Sequence, residues 1–284
     1  MIIFSSVSKY FADEPTAIVD LNLEINEGDL VVITGASGAG KTTLMKLLIK
    51  EYSPTSGEIT FENRPLSEFK KSEIPSLRRQ IGVVFQDYKL IEDMNVWENI
   101  ALPLYICNKK EEEIESRVTD LLNLIGLADK AMYFPRQLSG GEAQRVSIAR
   151  ALSTAPKIIF ADEPTGNLDS AASIKITKLL KKINELGTTM LFATHDQLVL
   201  DELEKERIVH LEKKAKNPPK NDEADEEREK VKEKQEKLAK EIGEKNNETE
   251  ENKEEKKSKL GLHKLKIKIS SKKEKEEKKK DEST

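Results

Sequence analysis

The 284-residue chain is poor in the residues that build covalent or metal scaffolds: one cysteine, Cys107, and three histidines, His195, His210 and His263. A single thiol cannot close an internal disulfide, which suits a reducing compartment. Neither Cys-x-x-Cys nor His-x-x-x-His spacing occurs, so a Cys/His metal cage is excluded. No apolar run approaches the roughly 18 to 20 residues that span a bilayer, and the start Met1-Ile2-Ile3-Phe4-Ser5-Ser6 lacks the basic residues and apolar stretch of a secretion signal. The expectation is a protein that stays in the cytoplasm where it is made. Phe, Trp and Tyr are absent from residues 213–284, which carry 24 Lys+Arg and 20 Asp+Glu, whereas residues 1–212 carry 24 and 32. The second segment is too polar to bury a core, so a folded domain is expected over 1–212 and a charged tail, disordered or partly helical, over 213–284. The net negative charge of the first segment argues against nucleic acid as its main ligand.

What is present is an α/β pattern. Val19, Leu21, Leu23 and Ile25 alternate with polar residues, the period of a half-buried strand at an antiparallel edge. Leu30 to Ile33, Ile81 to Phe85, Ile158 to Ala161 and Thr189 to Ala193 are short apolar runs that read as buried strands. Helices are expected over Thr42 to Lys50, Glu111 to Ile125 with Gly126 as its stop, Glu142 to Leu152 and Ser170 to Leu186. Strands alternating with helices predict a mixed, largely parallel sheet, and the mostly helical stretch 87–150 an inserted helical subdomain.

Gly35-Ala36-Ser37-Gly38-Ala39-Gly40-Lys41-Thr42 fits the P-loop pattern at every fixed position, between an apolar strand and a helix, with Thr43 following. Glycines let successive N–H groups curl around phosphate, the helix start adds its positive end, Lys41 neutralises the outer phosphates, and Thr42 offers a hydroxyl to Mg²⁺. Asp162-Glu163 ends the strand Ile158 to Ala161, where a parallel sheet opens its ligand crevice. Asp162 is assigned to the metal and Glu163 to the water that attacks the γ-phosphate. Ser139-Gly140-Gly141-Glu142 opens a helix and offers a second anion site by the same physics. Taken singly, Ser-Gly-Gly-Glu is an ordinary helix entry, Gln86 a surface amide, Asp169 a helix N-cap and His195 a surface histidine.

Together these residues resemble the ABC-type ATPases: the resemblance covers 1 to about 212 and rests on every motif occurring in order. Leu138 to Glu142 with Gln144-Arg145 is similar to the signature motif, Gln86 to the Q-loop glutamine, Asn167-Leu168-Asp169 to the D-loop, and His195 to the switch histidine. Phe11, with Tyr10 as the alternative ring, resembles the aromatic that stacks on adenine. The resemblance implies a head-to-tail homodimer in which two ATP molecules lie between the P-loop of one subunit and Ser139-Gly140-Gly141 of the other. It also implies Mg²⁺ near Thr42, Asp162 and Gln86, and a separate integral membrane protein as partner, docked near the Gln86 loop and the helical subdomain. Pro75 to Asp87, Val96 to Leu104, Phe134 to Leu138 and Ala193 to Asp196 are most similar to the FtsE family of cell-division ATP-binding proteins, whose membrane partner is FtsX. That relationship implies a place on the inner face of the cell membrane. Lipoprotein-release and efflux ATPases, which share Gly166 to Asp169, are the alternative, and an ATP-gated regulatory scaffold is a third reading. In the tail, Leu260 to Ile269 combines apolar residues with lysines and no acid, an expected contact for anionic lipid or an acidic partner surface.

Overall fold

The computed structural model describes residues 1–11 and 18–212; the charged tail, including Leu260 to Ile269 and the expectation placed on it, lies outside the described residues. The chain runs β1 (Ile2–Ser8), β2 (Leu21–Ile25), β3 (Leu30–Thr34), α1 (Lys41–Leu48), β4 (Ser56–Phe61), β5 (Arg64–Pro65), α2 (Ile74–Arg79) and β6 (Ile81–Val84). Then follow α3 (Val96–Ile106), α4 (Glu111–Ile125), α5 (Gly140–Leu152), β7 (Ile158–Asp162), α6 (Ser170–Glu185), β8 (Thr189–Thr194), α7 (Gln197–Glu202) and β9 (Arg207–His210). The mixed architecture resolves into two sheets: an antiparallel one in the order β2-β1-β4-β5, and an all-parallel one in the order β6-β7-β8-β3-β9.

The apolar runs are continuous because the parallel strands are buried on both faces. Along β3, Leu30 and Val32 join one core while Val31 and Ile33 join the other. In β8 the split is Met190 and Phe192 against Leu191 and Ala193. The first core takes the apolar stripes of α3 to α6; the second is closed by α1, α2 and the antiparallel sheet. Helix α4 shows why the stripe is needed: Ile114, Val118, Leu121, Leu122 and Ile125 are its buried residues, each contributing about 1.5 to 3 kcal/mol. Three glutamates sit in its first turn, where the helix dipole favours negative charge, and Gly126 ends it at φ 65°.

Half of the expected strand and helix ends differ from the observed ones by one or two residues, for local reasons. Val19 is left out of β2 because Asp20 adopts φ 50°, which interrupts the extended run. Helix α5 starts at Gly140, two residues earlier than expected, because Ser139 and Glu142 form a reciprocal capping box. Helix α1 ends at Leu48, with Lys50 turned to φ 53°.

The register of the parallel sheet is what assembles the motifs. Thr34 pairs with Thr194, Asp162 with Ala193, and Val84 with Ala161. Gly35, His195, Glu163 and Gln86 therefore follow strand ends that lie along one edge, although the sequence spreads them over 160 positions.

Candidate active site

The loop from Gly35 to Gly40 leaves β3 and turns directly into α1. At Gly35, φ 154°, a Cβ would stand 2.5 Å from the Leu211 carbonyl oxygen, so the residue just past β9 packs too closely for any side chain there. Gly40, at φ 102°, occupies the N-cap of α1 and brings no side-chain cap, which leaves the first-turn N–H groups available to an anion. Ala36, Ser37 and Gly38 form the exposed rim, Ala39 is buried beneath them, and Thr43 is half-buried. Lys41 is buried, and its ammonium donates to the carbonyls of Gly35 (2.8 Å) and Ala36 (3.3 Å). Its third contact is an ion pair of 3.1 Å with Glu163 Oε1.

That same Glu163 oxygen lies 3.0 Å from Nδ1 of the exposed His195, so one carboxylate stands between an ammonium and an imidazole. The Glu163 backbone is held at φ 46°, a left-handed conformation that costs a non-glycine residue on the order of 1 to 3 kcal/mol. Two bonds keep it there: the Glu163 N–H donates to Ala193 O (2.9 Å), and its carbonyl accepts from Gly166 N (3.1 Å). The strain aims the side chain away from the β7 axis toward Lys41 and His195. Asp162, still in β7, points elsewhere: Thr42 Oγ1 donates to its Oδ2 at 2.8 Å. Its other oxygen, Oδ1, is buried without a hydrogen-bond partner. Burial pushes this carboxyl above its usual range, with the Thr42 bond pulling the other way. A buried carboxylate oxygen left unpaired beside a hydroxyl is a donor set suited to a hard cation.

Ser139, Gly140, Gly141 and Glu142 lie in a different place. They wall a cleft of about 420 Å³ together with Arg145, Lys175 and the loop Asn167 to Asp169, and no P-loop residue lines it. Glu142 accepts from the Ser139 N–H (2.9 Å) and pairs with Lys130 at 2.6 Å. Lys130, reinforced by the Ser139 N–H, holds the Glu142 carboxyl down at about 2. Asp169 caps α6, accepting from Ala172 N at 2.8 Å, so the modest capping role is realised within the cleft wall.

Gln86 bridges the two regions. Its carbonyl accepts from Asn167 Nδ2 (3.1 Å), and its side-chain amide lies against Gly166, where a Cβ would come within 2.8 Å of Nε2. The following Tyr88 and Lys89 sit at φ 58° and 50°. The forked guanidinium of Arg150 on α5 donates to both their carbonyls (2.8 and 2.7 Å), and Gln144 Nε2 to Phe85 O (3.4 Å). Tyr88 also reaches the start of α5: a Cβ at Gly140 would stand 2.9 Å from its hydroxyl oxygen. Phe11 is half-buried beside Tyr52, and the Tyr10 N–H donates to Thr55 Oγ1 at 3.1 Å. Lys130, Arg150 and Tyr52 escape sequence reasoning, because their partners lie 12 to 62 positions away and no fixed spacing marks them. Among the described residues no cluster of three His, Cys, Asp or Glu side chains is placed to hold a metal, and no helix is long and apolar enough to cross a membrane.

Residues 18–166 match the ABC transporter family. The cell division ATP-binding protein FtsE of Bacillus subtilis is 42% identical over 212 residues, covering 75% of this chain and 92% of that protein. FtsE of Escherichia coli K12 is 45% identical over 196 residues, covering 69% and 88%. Among solved structures, a dimeric post-hydrolysis state of an ATP-binding cassette bound to ADP and Pi aligns with a TM-score of 0.67 and 38% identity, covering 75% of this chain and 97% of that one. The motifs gathered at one sheet edge, the separate Ser139 cleft and these relationships agree: the chain belongs to the ABC transporter family, as an FtsE-like ATPase.

Proposed function

We propose that this chain closes as a homodimer around ATP and, from the cytoplasmic face of the cell membrane, drives an FtsX-like integral membrane protein in cell division. The observation that carries the reading is the separation of two half-sites. The cluster around Lys41, Glu163 and His195 can bind and cleave a triphosphate, while the Ser139 cleft offers helix-start N–H groups with no phosphate-binding loop of its own. Each becomes complete only when a second copy supplies the other. The division role follows the FtsE relatives, whose names state it.

In this reading Gly35 to Thr43 hold the phosphates, with the Lys41 ammonium turning from the Gly35 and Ala36 carbonyls to the β- and γ-oxygens. Phe11 stacks on the base. Glu163 accepts a proton from the attacking water as the water oxygen bonds to the γ-phosphorus and the bond to ADP breaks. His195 fixes the Glu163 carboxylate through their 3.0 Å contact. Thr42 and Asp162, with Gln86 from the neighbouring loop, would hold Mg²⁺; the unpaired Asp162 Oδ1 is the position that fits it. When bound, the ion neutralises phosphate charge. Ser139 to Glu142 and Asp169 act across the dimer on the partner subunit's nucleotide.

Light scattering of Glu163→Gln tests the dimer: with Mg²⁺ and ATP the mass should double, and a mass that stays monomeric overturns the reading. Affinity capture from native membranes with the same variant tests the partner. A retained FtsX-like protein with few spans supports division, whereas a lipoprotein-release or efflux permease replaces it.

A further inference from the structure

Tyr52 belongs to none of the motifs above. It lies in the turn after α1, where the N–H groups of Glu51 and Tyr52 both bond the Lys46 carbonyl (2.8 and 3.1 Å). Its ring centroid is 5.2 Å from that of Phe11, with the planes at 71°, an edge-to-face pair. Lys9 places its ammonium 5.2 Å from the Phe11 centroid and 5.6 Å from that of Tyr52. Lys46 lies 5.0 Å from the Tyr52 centroid, donates to the Tyr52 hydroxyl at 3.4 Å and pairs with Glu51 at 3.2 Å. The backbone follows the same route: Thr55 N donates to Ser8 O (2.7 Å) and Tyr10 N to Thr55 Oγ1 (3.1 Å), which ties the segment bearing Phe11 to the turn bearing Tyr52.

A phenylalanine just past a strand end has two side-chain torsions to fix before it can serve as a flat surface, and fixing them on binding costs affinity. Tyr52 meets that cost in advance, because an edge-to-face neighbour sets the tilt of the Phe11 ring. Its anchor is α1, the helix whose first residues, Lys41 and Thr42, line the phosphate end. We propose that Tyr52 is a positioning residue of the nucleotide-base site, holding the Phe11 ring as a preset platform for a purine at a fixed offset from the phosphate loop. This rests on Phe11 being the base platform, as proposed above.

Calorimetric titration of the full chain with ADP and with inorganic pyrophosphate separates base from phosphate recognition without turnover. Tyr52→Leu, which keeps apolar bulk but removes the ring, should raise the Kd for ADP about fivefold, the size of one aromatic pair, and leave pyrophosphate unchanged. Tyr52→Phe should restore ADP binding to within about twofold of the parent, since the ring contact survives without the hydroxyl. Phe11→Leu should weaken ADP at least as much, and adding Tyr52→Leu to it should weaken ADP no further. Normal ADP binding by Tyr52→Leu, with Phe11→Leu weakened, overturns the positioning role and leaves the platform intact. Normal binding by Phe11→Leu removes the platform and the proposal together. A parallel loss for ADP and pyrophosphate in Tyr52→Leu places Tyr52 in the phosphate loop's support and also overturns it.

Discussion

The two half-sites are built on opposite principles. Around Lys41 the polypeptide holds a buried ammonium on backbone carbonyls, the Glu163 carboxylate at φ 46°, and a buried Asp162 oxygen with no partner. Around Ser139 the backbone is closed by a reciprocal capping box, the Lys130 pair to Glu142 and the Asp169 cap on α6, while Arg145 of the same cleft keeps a buried Nε without a partner. The unpaired atom beside Lys41 is thus an acceptor and the one in the Ser139 cleft a donor.

The contrast can be broken most sharply at Glu163. Glu163→Gln should lower turnover at steady state by at least about 100-fold while equilibrium ATP binding persists, because general-base catalysis is worth that much. Asp162→Asn should raise the melting temperature of the nucleotide-free protein yet abolish the Mg²⁺ dependence of ATP binding. Its folded-state carboxyl is raised by burial, so ionisation opposes folding: the stabilising effect should be absent at low pH and appear as pH rises through the ordinary carboxylate range and above. If the variant melts lower than the parent at neutral pH, the first half is not carrying unmet polarity. Ser139→Ala removes a cap and should cost about 1 kcal/mol in denaturant unfolding, with ATP binding to the monomer unchanged. Lys130→Met is the gentlest test. Glu142 is held at about 2, so the contribution of the pair is present above the usual carboxylate range and fades as pH falls toward that value. The stability curves of parent and variant should therefore converge in acid.

What sequence could reveal divides along the same line. The P-loop, Asp162-Glu163 and Ser139 to Glu142 are contiguous and need only local backbone geometry, so their types and spacing are readable. Helix α4 matches its expected span because a regular apolar stripe, an acidic first turn and Gly126 all agree. By contrast β1 is hard to read: Ile2, Phe4 and Val7 are buried, but the register shifts between Phe4 and Val7, which breaks the period-2 signal. The left-handed Glu163 and its contacts to Lys41 and His195 arise from the register of β7 against β8 and of β8 against β3, a long-range property that local pattern does not carry. The same holds for Tyr52, whose meaning depends on a ring 41 positions earlier.

The loop after β6 is bonded to α5 twice, with the Phe85 carbonyl on Gln144 Nε2 and the Tyr88 and Lys89 carbonyls on the Arg150 guanidinium, and Gln144 and Arg150 are six positions apart, about 9 Å along the axis. A rod fastened at two points to one short loop cannot roll about its own axis without carrying that loop along. The segment from Phe85 to Lys89 and helix α5 thus share their rotational freedom, and amide exchange along both should quicken together when Arg150 loses its fork.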